Sequence, residues 1–167
     1  MNKLIFATHN PNKVKEVREL LSDSFEILGL NDIGFNEDII EDKLTIMENS
    51  IKKAEFVKIK TGYDCFADDT GLEVDALNGQ PGVFSKRFAG PNSSSDDNIN
   101  KLLEMLGNNT NRAARFKTVI SLSKNGQIIT FEGVCEGNIA HERMGNLGFG
   151  YDPVFIPKNG NISFGQM

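Results

Sequence analysis

Two β-compatible runs joined by Asn125-Gly126 restrict the possible folds of this chain more than any other feature. An Asn-Gly pair tolerates the positive φ angles of a type I′ turn, which matches the twist of two antiparallel strands. We therefore predict a β-hairpin within residues 114–137. Earlier in the chain, strand-like runs alternate with helical ones. Early alternation followed by a late hairpin predicts an α/β or α+β domain with a mixed sheet.

Capping and turn residues bound the elements predicted before the hairpin. A strand is expected over residues 3–8, and a second strand with its turn over residues 25–34. Helices are expected after Asn10-Pro11, from Thr45 to Gly62, and over residues 93–107. The first helix is expected to bury Val14, Val17, Leu20 and Leu21. The second is expected to bury Met47, Ile51, Ala54 and Val57 and to turn Asn49, Lys52, Lys53 and Lys60 away from the core.

Two adjacent carboxylates, Asp68 and Asp69, follow the apolar pair Phe66-Ala67. We expect them at the end of a core strand, with a separate half-exposed strand after them. Like charges repel, and burying either one without a partner is costly. With the acidic stretch that holds Glu37, Asp38, Glu41 and Asp42, they predict a Mg²⁺ site that also takes a phosphate ligand. For the acidic stretch, a solvated loop is the simpler interpretation.

The turn after the first strand places Thr8, Asn10 and Lys13 at a helix N-terminus. Free backbone N–H groups and the helix dipole favour an anion there, and Lys13 could reach a phosphate. The turn lacks the glycines of a P-loop or of a dinucleotide-binding fingerprint. Taken alone, it is better explained by a capping Asn10 and a solvated Lys13.

The stretch Gly148–Pro153 combines glycines, aromatic rings and a carboxylate. Phe149 and Tyr151 could stack on a nucleobase, and Asp152 could accept hydrogen bonds from a base edge. A tight turn with inward-packed aromatic rings explains the same residues equally well.

Composition excludes several classes of function. The net charge of -5 argues against broad nucleic-acid binding, which requires a basic face. No apolar stretch is long enough to cross a bilayer, and the N-terminus lacks a signal-peptide pattern, so we expect a cytoplasmic protein. Cys65 and Cys135 are interpreted as small buried hydrophobic residues of a reducing compartment. Neither His9 nor His141 lies near a serine or cysteine nucleophile motif, which disfavours serine or cysteine hydrolase chemistry.

Four motifs together resemble the inosine triphosphate pyrophosphatase family. They are "FATHNPNKVKEV", "LTIMENSIKKA", "ADDTGLEVDALNGQPGVFSKRFAG" and "GFGYDPVF", in that order between Lys3 and Phe155. The resemblance implies an α/β fold: an elongated long mixed sheet with flanking helices and two lobes around a central substrate cleft. It implies one domain over residues 1–167, a homodimer, and Mg²⁺-dependent hydrolysis of ITP, dITP and XTP to the monophosphate and pyrophosphate.

The same resemblance assigns roles to individual positions. Asp69 matches the general base, Glu41 and Asp69 match the metal-associated positions, and Asp68 is a further metal candidate. The remaining matches concern substrate binding. The phosphate turn comprises Thr8, His9, Asn10, Pro11, Asn12 and Lys13, and Lys53 matches a lysine that faces the phosphates. Thr70 matches a substrate contact, and the base side comprises Phe149, Gly150, Tyr151 and Asp152.

The sequence departs from the family pattern at its C-terminus, since it ends at Met167 before the Ser-His-Arg motif that belongs to the base pocket. Discrimination of a 6-keto from a 6-amino purine needs donors aimed at that position. We therefore expect weaker base selectivity. The alternatives are a pyrophosphatase for another nucleotide such as dUTP, a catalytically weakened nucleotide-binding fragment, and a structural α/β domain.

Overall fold

The computed structural model describes residues 2–167, and its strands form one mixed sheet of seven. The hydrogen-bonded order is β2-β1-β3-β5-β6-β7, and β4 pairs with β3. The strands are β1 Asn2–Phe6, β2 Phe25–Gly29, β3 Cys65–Val74, β4 Pro81–Gly82, β5 Ala113–Lys124, β6 Gln127–Ile139 and β7 Phe155–Pro157. The α-helices are α1 Pro11–Leu21, α2 Ile46–Thr61 and α3 Ser95–Leu106. The predicted mixed α/β fold is confirmed.

The chain divides into two compact units. The first comprises the described residues through Asp69 together with Val119–Glu132. Inside it, β1 pairs in parallel with β2 and with β3. Its core contains two groups of buried side chains, which are Ile5, Ala7, Leu30, Ala54, Val57, Cys65 and Ala67, and Phe6, Val14, Ile27 and Phe66.

The second unit comprises Thr70–Thr118 and Gly133–Met167. Here β3 pairs antiparallel with β4, and β6 pairs antiparallel with β7. The apolar face of α3 fits the i, i+3, i+7 spacing of an amphipathic helix. Its buried side chains Ile99, Leu102 and Leu106 share a core with Leu72, Val74, Tyr151, Val154 and Phe155.

Local turn and capping signals are confirmed. Asn125 and Gly126 have φ angles of 51° and 76°, and the strands they join extend beyond the predicted residues 114–137 at both ends. The side chain of Asn10 caps α1, and Thr45 caps α2 by accepting from the Glu48 N–H at 3.1 Å. Gly62 ends α2 in the left-handed region, where glycine carries no steric penalty.

The prediction that Asp68 and Asp69 end a strand is wrong. They lie in the middle of β3, which continues without a break to Val74. The strand is internal, between β1 and β5, so the sheet supplies backbone partners along both of its edges. Both carboxylates are buried, and neither is displayed at a strand end.

Two predicted helix faces need correction. Leu20 is 81% exposed and Met47 is 41% exposed, whereas Asn49 and Lys53 are buried. The buried stripe of α2 follows helical spacing, but half of it is polar because it faces polar partners. It consists of Ile46, Asn49, Ser50, Lys53, Ala54 and Val57.

Both cysteines are free thiols. Cys65 is buried, as predicted, and burial raises the pKa of its thiol to about 11. Cys135 is only half-buried, contrary to prediction. Within residues 2–167, no helix is long and apolar enough to span a membrane.

Candidate active site

Three carboxylates and two lysines form a compact charged group in the first unit, here called the carboxylate–lysine cluster. The Lys13 Nζ lies 2.6 Å from Asp68 Oδ2. The Lys53 Nζ lies 3.0 Å from Glu41 Oε1 and 3.4 Å from Asp69 Oδ1. Asp68, Asp69 and Lys53 are all buried. This grouping joins residues that sequence reasoning had taken from separate motifs.

The geometry of β3 explains how two adjacent acidic residues coexist. Successive side chains of a strand point to opposite faces of the sheet. Asp68 accordingly meets Lys13 of α1, while Asp69 meets Lys53 of α2. The two adjacent charges therefore face different lysines on opposite faces of the sheet, which offsets part of the cost of burial.

Lys53 serves two carboxylates at once, and the effects on pKa follow from this sharing. Burial lowers the pKa of the Lys53 ammonium, but the charges of Glu41, Asp69 and Asp68 outweigh burial and hold it above its usual value. Burial raises the pKa of Asp69, and the neighbouring Glu41 charge adds to that rise. Attraction to Lys53 and Lys13 compensates only in part. The carboxyl group of Asp69 thus holds a proton more readily than an ordinary aspartate does.

The turn before α1 is organised by its own side chains. Asn10 Oδ1 accepts from the N–H groups of Asn12 and Lys13, at 3.0 and 3.4 Å, and the Asn10 N–H donates to Thr8 Oγ1. The Lys13 side chain is 21% exposed and bound to a carboxylate, so the solvated-lysine interpretation is wrong. Pro11 occupies the first helical position, where no N–H is needed.

His9, which the family pattern places among the substrate contacts, makes two contacts within the protein. Its Nδ1 lies 2.9 Å from Asn31 Oδ1, and its Nε2 lies 2.9 Å from the carbonyl oxygen of Glu37. The ring thereby links the turn to the acidic stretch. In this structure His9 acts as a tether.

The stretch Glu37–Lys43, here called the acidic segment, is attached to α2 by ion pairs. Glu37 pairs with Lys60 at 3.1 Å and Asp42 pairs with Lys52 at 2.6 Å, both at the surface. Glu41 belongs to the buried cluster, and Asp38 is exposed. The solvated-loop interpretation therefore fits Asp38 but not Glu41.

In the second unit, the aromatic loop Gly148–Asp152 closes on itself. Asp152 Oδ2 accepts from the Phe149 N–H at 3.0 Å. Gly148 has φ +73°, and a Cβ there would collide with the Asp152 carboxylate. Burial raises the pKa of Asp152, while the bond from Phe149 opposes the rise. The glycine is required by the turn itself.

The aromatic residues of this loop differ in exposure. Tyr151 is only 5% exposed and lies in the core of the second unit, where its hydroxyl donates to the Ser85 carbonyl at 2.6 Å. Burial raises the pKa of that hydroxyl. The inward-packed alternative therefore describes Tyr151, while Phe149 remains half-buried. Thr70 pairs with Thr118, with their hydroxyl oxygens 2.8 Å apart.

Sequence reasoning missed two residues of α2 that hold the site together. Ser50 is fully buried, and its hydroxyl lies 3.3 Å from the Ala67 carbonyl and 2.9 Å from the Val119 carbonyl. Asn49 is 1% exposed and bonds to the backbone of Lys43. For Asn49, the signal that could have found it is spacing, since Asn49 and Lys53 lie four residues apart and share a face.

The fold and the cluster define an α/β protein with a buried, charge-compensated acidic site. The chain belongs to the Ham1 family, whose model matches residues 4–167. It is 52% identical over 165 residues to a dITP/XTP pyrophosphatase of Flavobacterium johnsoniae and 53% identical over 165 residues to one of Christiangramia forsetii. These matches cover 99% of this chain and 86% and 87% of the relatives.

A solved structure agrees with this assignment. A HAM1 protein from Coxiella burnetii superimposes with a TM-score of 0.89 at 37% identity, covering 100% of this chain and 87% of that one. The family predicted from the sequence motifs is confirmed.

Proposed function

We propose that this protein hydrolyses deaminated purine nucleoside triphosphates, namely dITP, XTP and ITP, to the nucleoside monophosphate and pyrophosphate. The observation that carries the proposal is identity of 52–53% over nearly the whole chain to proteins named dITP/XTP pyrophosphatase. The carboxylate–lysine cluster supplies the residue types that this reaction needs. The enzyme is therefore a hydrolase of acid anhydrides.

Asp69 is the proposed general base. It orients a water molecule and takes its proton as the water oxygen bonds to phosphorus and the bond to the pyrophosphate oxygen breaks. Burial raises the pKa of Asp69, so its carboxylate accepts a proton more readily than an exposed one. Asp68, which is paired with Lys13, is proposed to have a structural role, with metal binding as the alternative.

Lys13 and Lys53 are proposed to stabilise the negative charge that develops on the pyrophosphate leaving group. Lys53 is buried, and a cation in such an environment stabilises phosphate oxygens more strongly than one in water. Lys13 and the turn from Thr8 bind the triphosphate near the N-terminus of α1, where Asn10, Pro11 and Asn12 shape the backbone. His9 is proposed as a further substrate contact of this turn, and its ring also links the turn to Asn31 and Glu37.

Mg²⁺ is the proposed cofactor, and Glu41 and Asp69 are the residues proposed to hold it. Glu41 and Asp69 both approach Lys53 Nζ, so their oxygens share one small region. Mg²⁺ is typically bound by one or two carboxylates, with water and substrate phosphates completing its shell. Within residues 2–167, no group of three or more His, Cys, Asp and Glu side chains is placed to hold a metal. When bound, Mg²⁺ would neutralise phosphate charge.

The contacts with the base are proposed for the aromatic loop. Half-buried Phe149 is proposed to stack on the purine, with Gly150 allowing close approach of the backbone. Asp152 and Thr70 are proposed as polar contacts. Tyr151 supports the loop from within the core.

We further propose that residues 1–167 act as one pyrophosphatase domain in a cytoplasmic homodimer that binds neither nucleic acid nor membranes. The net charge of -5 supports the part of this proposal that concerns nucleic acid. Light scattering after gel filtration tests the dimer, since a monomeric mass at micromolar concentration would contradict it.

The test of the function is pyrophosphate release from ITP, XTP, GTP, ATP and dUTP, with Mg²⁺ or with EDTA, beside Asp69→Asn. We expect metal-dependent release that favours ITP and XTP and falls about 10³-fold in the variant. Equal pyrophosphate release from all purine triphosphates would support the proposed hydrolysis but contradict the proposed preference for ITP and XTP. Preference for dUTP, or binding of ITP without release by a folded sample, would overturn the proposal.

A further inference from the structure

The acidic segment contains no helix or strand of its own, yet it must present Glu41 at a fixed place. Because the segment lies outside any helix or sheet, its position depends on individual hydrogen bonds to its backbone. The ring of His9 reaches the Glu37 carbonyl at one end, with Nε2 2.9 Å from the oxygen. Glu41 lies between that end and Lys43, where the second attachment occurs.

Asn49 makes the second attachment with both ends of its side-chain amide. Its Oδ1 accepts from the Lys43 N–H at 3.0 Å, and its Nδ2 donates to the Lys43 carbonyl at 3.5 Å. Asn49 is 1% exposed, so its side-chain amide is surrounded by protein rather than by water. One turn further along the same helix, Lys53 binds Glu41 at 3.0 Å.

We infer that Asn49 is a positioning residue: by clamping the backbone of Lys43, it fixes the Glu41 carboxylate beside Lys53 in readiness for a divalent cation. The inference rests on the proposed function for its metal. It gives α2 two linked tasks, since Asn49 holds the segment and Lys53 holds the carboxylate. No substrate contact is assigned to Asn49.

The clamp matters more for position than for stability. Lys43 lies at the surface, so we expect water to reach its backbone groups once the Asn49 amide is replaced. Leucine has the same branched arrangement of side-chain heavy atoms as asparagine and brings no polar atom of its own, so only the two Lys43 backbone groups lose a partner. The expected result is a folded protein with a loosened acidic segment.

The experiment compares Asn49→Leu with Val57→Ala, which opens a cavity on the same buried face of α2 without removing a hydrogen bond to the backbone of the acidic segment. Amide hydrogen exchange over residues 37–43 is measured first. We expect exchange about ten-fold faster in Asn49→Leu, as for the loss of one or two hydrogen bonds, and unchanged in Val57→Ala. Unchanged exchange in Asn49→Leu, or equal acceleration in both variants, would overturn the clamp.

Mn²⁺ binding to the nucleotide-free protein, followed by water proton relaxation, measures the consequence for the metal. We expect the dissociation constant to rise several-fold in Asn49→Leu and to stay within about two-fold in Val57→Ala. A wild-type value in Asn49→Leu, or a wild type that binds no Mn²⁺, would overturn the metal role. Neither measurement needs turnover, so failure of pyrophosphate release counts against the proposed function alone.

Asn49→Asp serves if the leucine variant does not fold. Aspartate keeps the shape and an acceptor for the Lys43 N–H but has no donor for the Lys43 carbonyl. Its exchange over residues 37–43 is expected to lie between those of the wild type and of an unclamped segment. Exchange as slow as in the wild type, with unchanged Mn²⁺ affinity, would contradict a role for the amide.

Discussion

The carboxylate–lysine cluster and the aromatic loop are held in different ways. In the cluster, buried Lys53 is shared by Glu41 and Asp69, so the position of each group depends on opposite charge. In the aromatic loop, Asp152 closes a backbone turn, and Tyr151 anchors it in an apolar core. Opposite charges hold the carboxylate–lysine cluster in place, whereas a backbone turn and apolar packing hold the aromatic loop.

This difference indicates which substitutions each region tolerates. Removing the shared cation Lys53 leaves two carboxylates without it, which costs more than the lost attraction alone. Removing a half-buried ring from a loop takes away contact area and leaves no charge unpaired. Changes in the cluster should therefore affect both stability and chemistry, whereas changes in the loop should affect binding or stability separately.

The largest effect is expected for Lys53→Met. Glu41 and Asp69 would lose the cation they share and would face each other as like charges. We expect unfolding to be easier by about 3 kcal/mol, the usual cost of breaking a buried ion pair, and turnover to fall at least ~100-fold. Thermal unfolding and pyrophosphate release measure the two effects.

Lys52→Met is the matched control for Lys53→Met. The adjacent Lys52 pairs with Asp42, whose side chain is 56% exposed, and such surface pairs add little stability. We expect its Tm to stay within ~1 °C of the wild type. Equal losses in the two variants would show that the buried position of Lys53 has no special role.

Phe149→Ala tests the aromatic loop. Stacking of a base on an aromatic ring contributes about 1–3 kcal/mol, so we expect KM for ITP to rise ~10-fold while kcat changes less than ~3-fold. Phe84→Ala is the control, because Phe84 is 53% exposed and has no proposed contact with the base. An unchanged KM in Phe149→Ala, or an equal rise in both variants, would remove the stacking proposal.

The elements that sequence reasoning predicted well depend on neighbours in the chain. The turn at Asn125-Gly126 and the caps at Asn10 and Thr45 each act within three residues, so a short stretch of sequence contains the whole signal. The motifs of the candidate site were found for the same reason. Their assignment to particular roles came from resemblance to a family and stays a prediction.

The elements it predicted poorly depend on distant partners. Lys53 was assigned to the exposed side of α2, but its partner Asp69 lies 16 residues away, and Ser50 contacts Val119 across 69 residues. A polar residue on a helix is ordinarily exposed, and only such partners make its burial favourable. The continuity of β3 was missed because two acidic residues are unusual inside an internal strand.

Tyr151→Phe separates packing from binding within the aromatic loop. The variant loses the hydrogen bond to the Ser85 carbonyl and leaves that oxygen without this donor. We expect a loss of about 1 kcal/mol, or ~3 °C in Tm, with KM for ITP within ~2-fold of the wild type. A large rise in KM at unchanged Tm would instead place the hydroxyl against the substrate.

The smallest effect is a gain in stability for Asp69→Asn without metal. Burial raises the pKa of Asp69, so the folded protein holds this proton more tightly than the unfolded chain does. Its stabilising contribution is present below the pKa of an unfolded aspartate and is lost as pH rises through the raised value. At about pH 7 in EDTA the variant should therefore be more stable by no more than ~1 kcal/mol, and the difference should shrink as pH falls. Thermal unfolding of the wild type and the variant in EDTA, at about pH 7 and at lower pH, measures the difference in stability. Added Mg²⁺ should stabilise the wild type more than the variant. A variant less stable than the wild type in EDTA at every pH would mean that attraction to Lys53 outweighs burial, and that the fold does not hold Asp69 ready to accept a proton.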